Sequence, residues 1–222
     1  MSFNIAIDGP AGAGKSTIAK KIAAKLSFIY VDTGAMYRAM GLHFLRKGIR
    51  PEDSAAIEAA ALEADVTIGY ENKEQQVYLN GENVTGFLRT EEVGNMASSV
   101  SVYPGVRRQL MALQKELAAR QDVVMDGRDI GTAVLPQAQL KIYLTASSRV
   151  RALRRYQELK ARGIDGSLEV IEADIIERDE RDMTREISPL CKAEDAVEVD
   201  SSEMTIEQVV STVIDLYRER SR

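Results

Sequence analysis

Cysteine and histidine each occur once in 222 residues, as Cys191 and His43. A single cysteine rules out a disulfide framework and an all-cysteine zinc site, and it fits a reducing compartment. The histidine lies in Ala39-Met40-Gly41-Leu42-His43-Phe44-Leu45, a run that reads as the body of a helix, so it is assigned to packing rather than to Ser-His-Asp or Cys-His chemistry. No run of about 18 apolar residues occurs, and the opening Met1-Ser2-Phe3-Asn4-Ile5-Ala6-Ile7-Asp8 carries no basic leader. No membrane span is expected, and the chain reads as cytoplasmic. An excess of positive charge is also missing. Lys and Arg number 29 against 34 Asp and Glu, for a formal charge of −5, which argues against a surface that tracks a nucleic-acid backbone but leaves room for a local basic pocket. Internal repeats and low-complexity linkers are absent. With 45% apolar and 28% charged side chains the composition is that of a globular protein, and one main domain is expected. At this length roughly 70% of the unfolded surface can be buried, so no covalent or metal staple is required.

Short apolar runs alternate with amphipathic ones. Phe3 to Ile7 reads as a buried strand, broken by Gly9 to Gly14 before a helix from Ser16 to Leu26 with Ile18, Ile22, Ala23 and Leu26 on one face. Phe28 to Val31 reads as a second strand and Gly34 to Lys47 as a second helix, followed by an alanine-rich helix from Ser54 to Glu63. Val66 to Tyr70 and Gln76 to Leu79 are strand-like, and Asn80-Gly81 is a strong hairpin turn leading to Glu82-Asn83-Val84, which together predict a small antiparallel insertion. Helices are predicted over Glu91 to Ser98 and over Pro104 to Arg120. Beyond them come strands at Val123 to Asp126 and Leu140 to Leu144, a basic helix from Arg149 to Arg162, and a charged one from Leu168 to about Arg185. A last strand spans Ala196 to Val199, and a closing helix Thr205 to Arg220. This alternation predicts an α/β fold whose parallel sheet has helices on both faces.

Gly9-Pro10-Ala11-Gly12-Ala13-Gly14-Lys15-Ser16-Thr17 fits Gly, four residues, Gly-Lys-Ser, and it sits after a strand and before a helix, where its mechanism needs it. Glycines let backbone N–H groups converge on phosphate oxygens, and the helix start adds positive potential. Lys15 is placed to reach the outer phosphates, and the Ser16 hydroxyl to ligate Mg²⁺. A glycine-rich turn with an exposed lysine is the bland alternative; it leaves the lysine and hydroxyl at this spacing as coincidence.

Such a loop does not choose between a kinase, a GTP switch, a motor and a transport ATPase. The approach closest to Asn-Lys-x-Asp, Asn72-Lys73-Glu74-Gln75, lacks the aspartate, no Asp-x-x-Gly is present, and neither is a Leu-Ser-Gly-Gly-Gln signature. A small phosphotransferase is favoured by elimination. Asp32-Thr33-Gly34-Ala35-Met36-Tyr37-Arg38 follows the second strand, where a parallel sheet presents its ligand crevice, so Thr33 and Arg38 are candidates to hold an acceptor phosphate; helix capping by Asp32 or Thr33 is the competing reading. Val123-Val124-Met125-Asp126-Gly127-Arg128-Asp129 sets three charges around a glycine at a strand end. In Arg178-Asp179-Glu180-Arg181-Asp182-Met183-Thr184-Arg185, residues Arg178, Asp182 and Arg185 share one face if the helix runs through them, and an ordinary salt-bridge ladder has the same pattern. Arg149, Arg151, Arg154 and Arg155 concentrate further positive charge, of the kind a mobile helix brings to a phosphoryl-transfer site.

Taken together these segments, with Arg89-Thr90-Glu91-Glu92-Val93 leading to Ser98, resemble the bacterial cytidylate kinases, a nucleoside monophosphate kinase family, over nearly the whole chain. The resemblance implies a five-stranded parallel core from about 1–33, 104–148 and 189–222. It also implies a monophosphate-binding region over 34–103 with the β insertion near 66–84, and lid helices over 149–188. It places ATP as donor on Gly9 to Thr17 with Mg²⁺ on Ser16 and, through water, Asp126. It assigns Thr33, Tyr37, Arg38, Ser98, Arg107, Arg128, Asp129, Arg178, Asp182 and Arg185 to CMP or dCMP, and Lys15, Arg128 and Arg185 to catalysis. Chemically, Asp129 suits the cytosine amino group while Arg107 and Ser98 suit its acceptors; uracil reverses that edge. Arg38, Arg128 and Arg185 suit the α-phosphate, and Asp182 and Arg178 the ribose. Thr33 stands where serine is also common in the family, and the hydroxyl is kept. No stable nucleic-acid partner is expected, and the protein is expected to act as a monomer. Three other classes stay open: a shikimate- or gluconate-type kinase with the same loop, a nucleotide-dependent regulatory or nucleic-acid-binding module, and a GTP switch with an unusual base-recognition motif.

Overall fold

The computed structural model describes residues 2–72, 74–161 and 163–221; the readings above that fall on Met1, Lys73, Arg162 and Arg222 lie outside them. In chain order the first half contains β1 (Asn4–Asp8), α1 (Lys15–Leu26), β2 (Ile29–Asp32), α2 (Thr33–Arg46) and α3 (Ser54–Ala61). Strands β3 (Val66–Glu71), β4 (Glu74–Leu79) and β5 (Glu82–Asn83) precede α4 (Glu91–Val100) and α5 (Pro104–Arg120). The second half contains β6 (Val123–Gly127), β7 (Leu140–Thr145), α6 (Ser148–Ala161), α7 (Leu168–Thr184), β8 (Val197–Asp200) and α8 (Ile206–Arg220). Sequence patterning did not anticipate the π-helical turn Ile130–Val134 or the 3-10 turn Thr85–Phe87, since neither is long enough to show a period. Among the described residues there are two sheets, one of five strands and one of three. No helix among them is long and apolar enough to cross a membrane.

The chain divides into two compact units, of which one comprises Ser2 and Ile29–Val123. Here β3, β4 and β5 form an antiparallel sheet in that order, with Val66 opposite Leu79 and Ile68 opposite Val77. Asn80 and Gly81 both take positive φ between β4 and β5, as a two-residue hairpin of this twist requires. The sheet grips the end of β2. The Gln75 side chain accepts from the Asp32 N–H at 2.8 Å and donates to the Asp32 carbonyl, while the Tyr70 hydroxyl donates to the Tyr30 carbonyl. That anchorage holds the start of α2, which Asp32 caps by accepting from the Ala35 N–H at 2.9 Å. Met36, Met40 and Phe44 of α2 form the core with Ile57, Val77, Val100 and Leu110. His43 is buried there and bonds the Ala60 carbonyl, and burial lowers its pKa; its assignment to packing holds.

The other unit comprises Phe3–Phe28 and Val124–Arg222. Its strands run in the order β6-β1-β7-β8. The pairs β1–β7 and β7–β8 are parallel, with Ile7 opposite Ile142 and Leu144 opposite Val199. Ile5, Ile7, Val124, Leu140, Ile142 and Leu144 are fully or nearly buried, as expected of parallel strands covered on both faces. Ile18 and Ile22 of α1 and Val210 and Val213 of α8 complete the core. At one edge Phe3, Phe28 and Tyr217 stack with ring centroids 4.9 to 6.3 Å apart, fastening the start of β1 to α8.

Candidate active site

Between β1 and α1 the chain turns through Gly9, whose φ is +149°. A Cβ at that position would lie 1.9 Å from the Leu144 carbonyl oxygen, so the parallel neighbour β7 leaves room only for glycine. Helix α1 then starts at Lys15 with no acidic side chain in its first turn and with Ser16 and Thr17 exposed, leaving its positive end open to an anion. Lys15 is not the exposed lysine of a plain turn. It is buried and curls back to donate to the Pro10 carbonyl at 2.8 Å. Burial, and after it the charge of Arg128, pushes its ammonium well below the ordinary pKa, against the pull of Asp126, Asp8 and Asp182. A polyphosphate at the loop would supply negative charge that favours the ammonium.

Ser16 donates to Asp126 Oδ2 at 2.9 Å, joining the loop to the end of β6. This all-oxygen pair suits a hard cation such as Mg²⁺, with the hydroxyl as ligand and the carboxylate behind it. Among the described residues no three His, Cys, Asp or Glu side chains converge on a metal site, so substrate phosphates and water would have to complete the coordination.

At the same strand end Arg128 donates from Nε to Asp182 Oδ2 at 2.8 Å, and Arg185 Nη2 lies 3.7 Å from Asp129 Oδ1. Asp129 and Asp182 are buried, and the Arg185 side chain is only 6% exposed. Burial alone would raise the Asp182 carboxyl, but the charge of Arg128, its hydrogen bond, and the charges of Arg178 and Arg185 hold it below the usual range. These residues therefore do not form a solvated ladder. The shared helical face also needs correction: α7 ends at Thr184, and Arg185 is its C-cap in an extended conformation. Pro189 disfavours helix just upstream, the Leu190 N–H bonds the Asp182 carbonyl, and Arg185 Nε donates to the Ser188 carbonyl at 2.7 Å. Arg185 thus meets Asp129 because the chain leaves the helix.

In the unit formed by 29–123, Thr33, Tyr37 and Arg38 occupy the first turns of α2, with Thr33 buried and the Arg38 guanidinium close over Gly34. Ser98 on α4 and Arg107 on α5 are linked through Ser101, whose hydroxyl donates to the Ser98 carbonyl and whose carbonyl accepts from Arg107 at 3.4 Å. Helix α2 packs on α4 and on α5, the helices that carry Ser98 and Arg107.

The sequence pattern assigned no role to Asp8 or Asp179 and did not separate Arg151 from its neighbouring arginines. Asp8 is buried at the end of β1 and accepts from the N–H groups of Ile130 at 2.8 Å and Gly131 at 2.7 Å, which pins the turn that follows Asp129. Burial pushes its pKa up to about 6, against those two bonds. An aspartate ending an apolar strand was the available signal. The other two, Arg151 and Asp179, lie within charged runs whose spacing does not tell a buried position from an exposed one. Of the arginines at the start of α6 only Arg151 reaches the loop, whereas Arg149 pairs with Glu172, Arg154 binds Ser201 and Arg155 pairs with Glu158.

A parallel sheet, a glycine loop at a helix start, a buried lysine and a serine hydroxyl backed by a strand-end aspartate define a phosphate-loop α/β protein. The fold is shared with shikimate kinase from Bacteroides thetaiotaomicron, at a TM-score of 0.50 and 14% identity over 97% of this chain and 98% of that one. The family described as cytidylate kinase matches residues 5–219. A cytidylate kinase of Ligilactobacillus salivarius (strain UCC118) is 49% identical over 99% of this chain and 98% of its own length. One from Caldicellulosiruptor bescii is 50% identical over 97% and 95%. The chain belongs to the cytidylate kinase family.

Proposed function

We propose that this chain transfers the γ-phosphoryl group of ATP to CMP, giving CDP and ADP, with dCMP as a second acceptor. The observation that carries the reading is the single charged cluster holding Lys15 of the loop, Arg128, Asp182 and Arg185 in a chain that matches cytidylate kinases throughout. An oxygen of the CMP phosphate attacks the γ-phosphorus, the bond from that phosphorus to the β,γ-bridging oxygen breaks, and ADP leaves with the electron pair. Since the attacking oxygen is already anionic, no strong general base is needed. Catalysis comes from positioning and charge neutralisation, and from excluding water that would otherwise accept the phosphoryl group.

Lys15 is assigned to the outer donor phosphates, and Arg38, Arg128 and Arg185 to the acceptor phosphate. Asp129, with Ser98 and Arg107, is assigned to the cytosine edge. Thr33, Tyr37 and Arg178 are assigned to further CMP contacts. Asp182 orients Arg128 in addition to its assigned place near the ribose. Mg²⁺ at Ser16 would neutralise donor charge. Residues 34–103 are read as the acceptor-binding region and 149–188 as the lid. A shikimate- or gluconate-type acceptor is disfavoured because it carries a single carboxylate charge whereas several arginines suit a phosphate dianion, and because the cytidylate kinase family matches residues 5–219.

A nucleoside monophosphate panel followed by ADP release tests the reading, with CMP expected to be the best substrate. Asp129→Ala should lower kcat/KM for CMP about tenfold more than for UMP, because Asp129 is the group that separates the two edges. Equal losses on both would remove Asp129 from base recognition.

A further inference from the structure

Arg151 is buried and bridges three elements. Its Nε donates to the Ala146 carbonyl at 2.9 Å, and its Nη1 donates to the Ala11 carbonyl in the loop at 2.9 Å. The same Nη1 lies 2.6 Å from Asp179 Oδ2 on α7. The Arg151 Cβ also fills the space beside Gly12, where an added Cβ would come within 3.2 Å of it. Asp179 is buried as well, and its second oxygen, Oδ1, has no hydrogen-bond partner among the described residues.

A buried ion pair with one oxygen left over is a poor stability device, because desolvation of both charges offsets their attraction and an apolar pair of similar volume often holds the fold as well or better. Its connections suggest a different use. The Ala11 carbonyl and the Gly12 N–H belong to one planar trans peptide and point in opposite directions, so a donor held on the carbonyl sets where the N–H points. Asp179 precedes Asp182 by three residues, about one turn of α7, and Asp182 holds Arg128. A continuous set of contacts therefore runs from the Ala11–Gly12 peptide through Arg151, Asp179 and α7 to Asp182 and Arg128.

We propose that Arg151 and Asp179 are positioning residues that couple donor binding at the loop to acceptor binding at Arg128. Phosphate on the Gly12 N–H polarises the same peptide's carbonyl and strengthens its bond to Arg151, which fixes Asp179 and, through the rigid helix, Asp182 and Arg128. The coupling is reciprocal: ATP tightens CMP by the factor by which CMP tightens ATP. The proposal rests on the reading of the loop as donor site and Arg128 as acceptor contact.

Calorimetry on the full chain, measuring the Kd of CMP with and without a non-hydrolysable ATP analogue, tests it. Wild type should bind CMP about fivefold or more tightly when the analogue is present. Asp179→Asn, and Arg151→Lys, which cannot keep the fork, should bring the ratio to about one. The double variant Arg151→Met/Asp179→Leu should melt at or above the wild-type temperature and also show a ratio near one. Independent binding in wild type, or a wild-type ratio in the variants, would overturn the proposal. So would unfolding of all three variants, which would make the pair a stability device. A wild type that fails to phosphorylate CMP would instead overturn the underlying reading.

Discussion

The phosphate loop and the end of α7 both serve one charged cluster, yet they are built on different principles. In the loop the groups assigned to phosphate are backbone N–H groups and one buried lysine, and their positions follow from the short path between β1 and α1 and from Gly9 pressed against Leu144. At the end of α7 the groups assigned to the acceptor are side chains, each held by a partner remote in sequence: Asp182 by Arg128, and Arg185 by Asp129. A site made of backbone is specified where it stands. A site made of paired charges depends on the fold that brings the pairs together, and each member leaves a buried partner exposed to loss.

Lys15 carries the heaviest expected loss. Lys15→Ala should lower kcat by roughly a hundredfold to a thousandfold, as removal of a preorganised charge contact does, and circular dichroism should show an intact fold. Near-normal turnover in the folded variant would leave the loop with backbone groups alone.

Asp8 stands between the two designs, since a side chain of β1 holds backbone N–H groups after β6. Its pKa is near 6 in the fold and 3.8 is its ordinary value, so between these the folded state binds more protons than the unfolded one. The stability linked to this group is complete below the ordinary value and is lost as pH rises through the folded one. Denaturation of wild type and Asp8→Asn between about pH 4 and pH 7 should show the wild-type advantage falling with pH, by at most about 3 kcal/mol. A difference independent of pH would mean that Asp8 does not titrate in this window.

Arg185→Ala should lower kcat/KM for CMP by about 2–3 kcal/mol. It should also lower the melting temperature, because Asp129 stays buried after its cation is gone. A loss of stability without a loss of efficiency would make the α7 terminus structural only. The smallest effect is expected two residues from Arg151. Arg149 is more than half exposed and pairs with Glu172 and Glu169 at the surface, so Arg149→Ala should match wild type in both melting and turnover. A clear kinetic defect there would extend the site onto the outer face of α6.

Periodicity, loop spacing and turn residues were enough to mark the strands and helices, the Asn80-Gly81 hairpin and the glycine loop, because backbone preferences and apolar faces act over a few residues. The same local signals placed His43 in a helix core. The sequence alone thus determined the α/β class and the glycine loop, and its motif order carried the family resemblance. Only the tertiary structure decided that Arg151 turns inward while Arg149 faces solvent, that α7 stops at Thr184 so that Arg185 reaches Asp129, and that Asp8 clamps the turn at Ile130 and Gly131. Ion pairs and side-chain hydrogen bonds of this kind join residues from 23 to 140 positions apart, and which of them form is set by burial, a quantity that a short stretch of sequence does not contain.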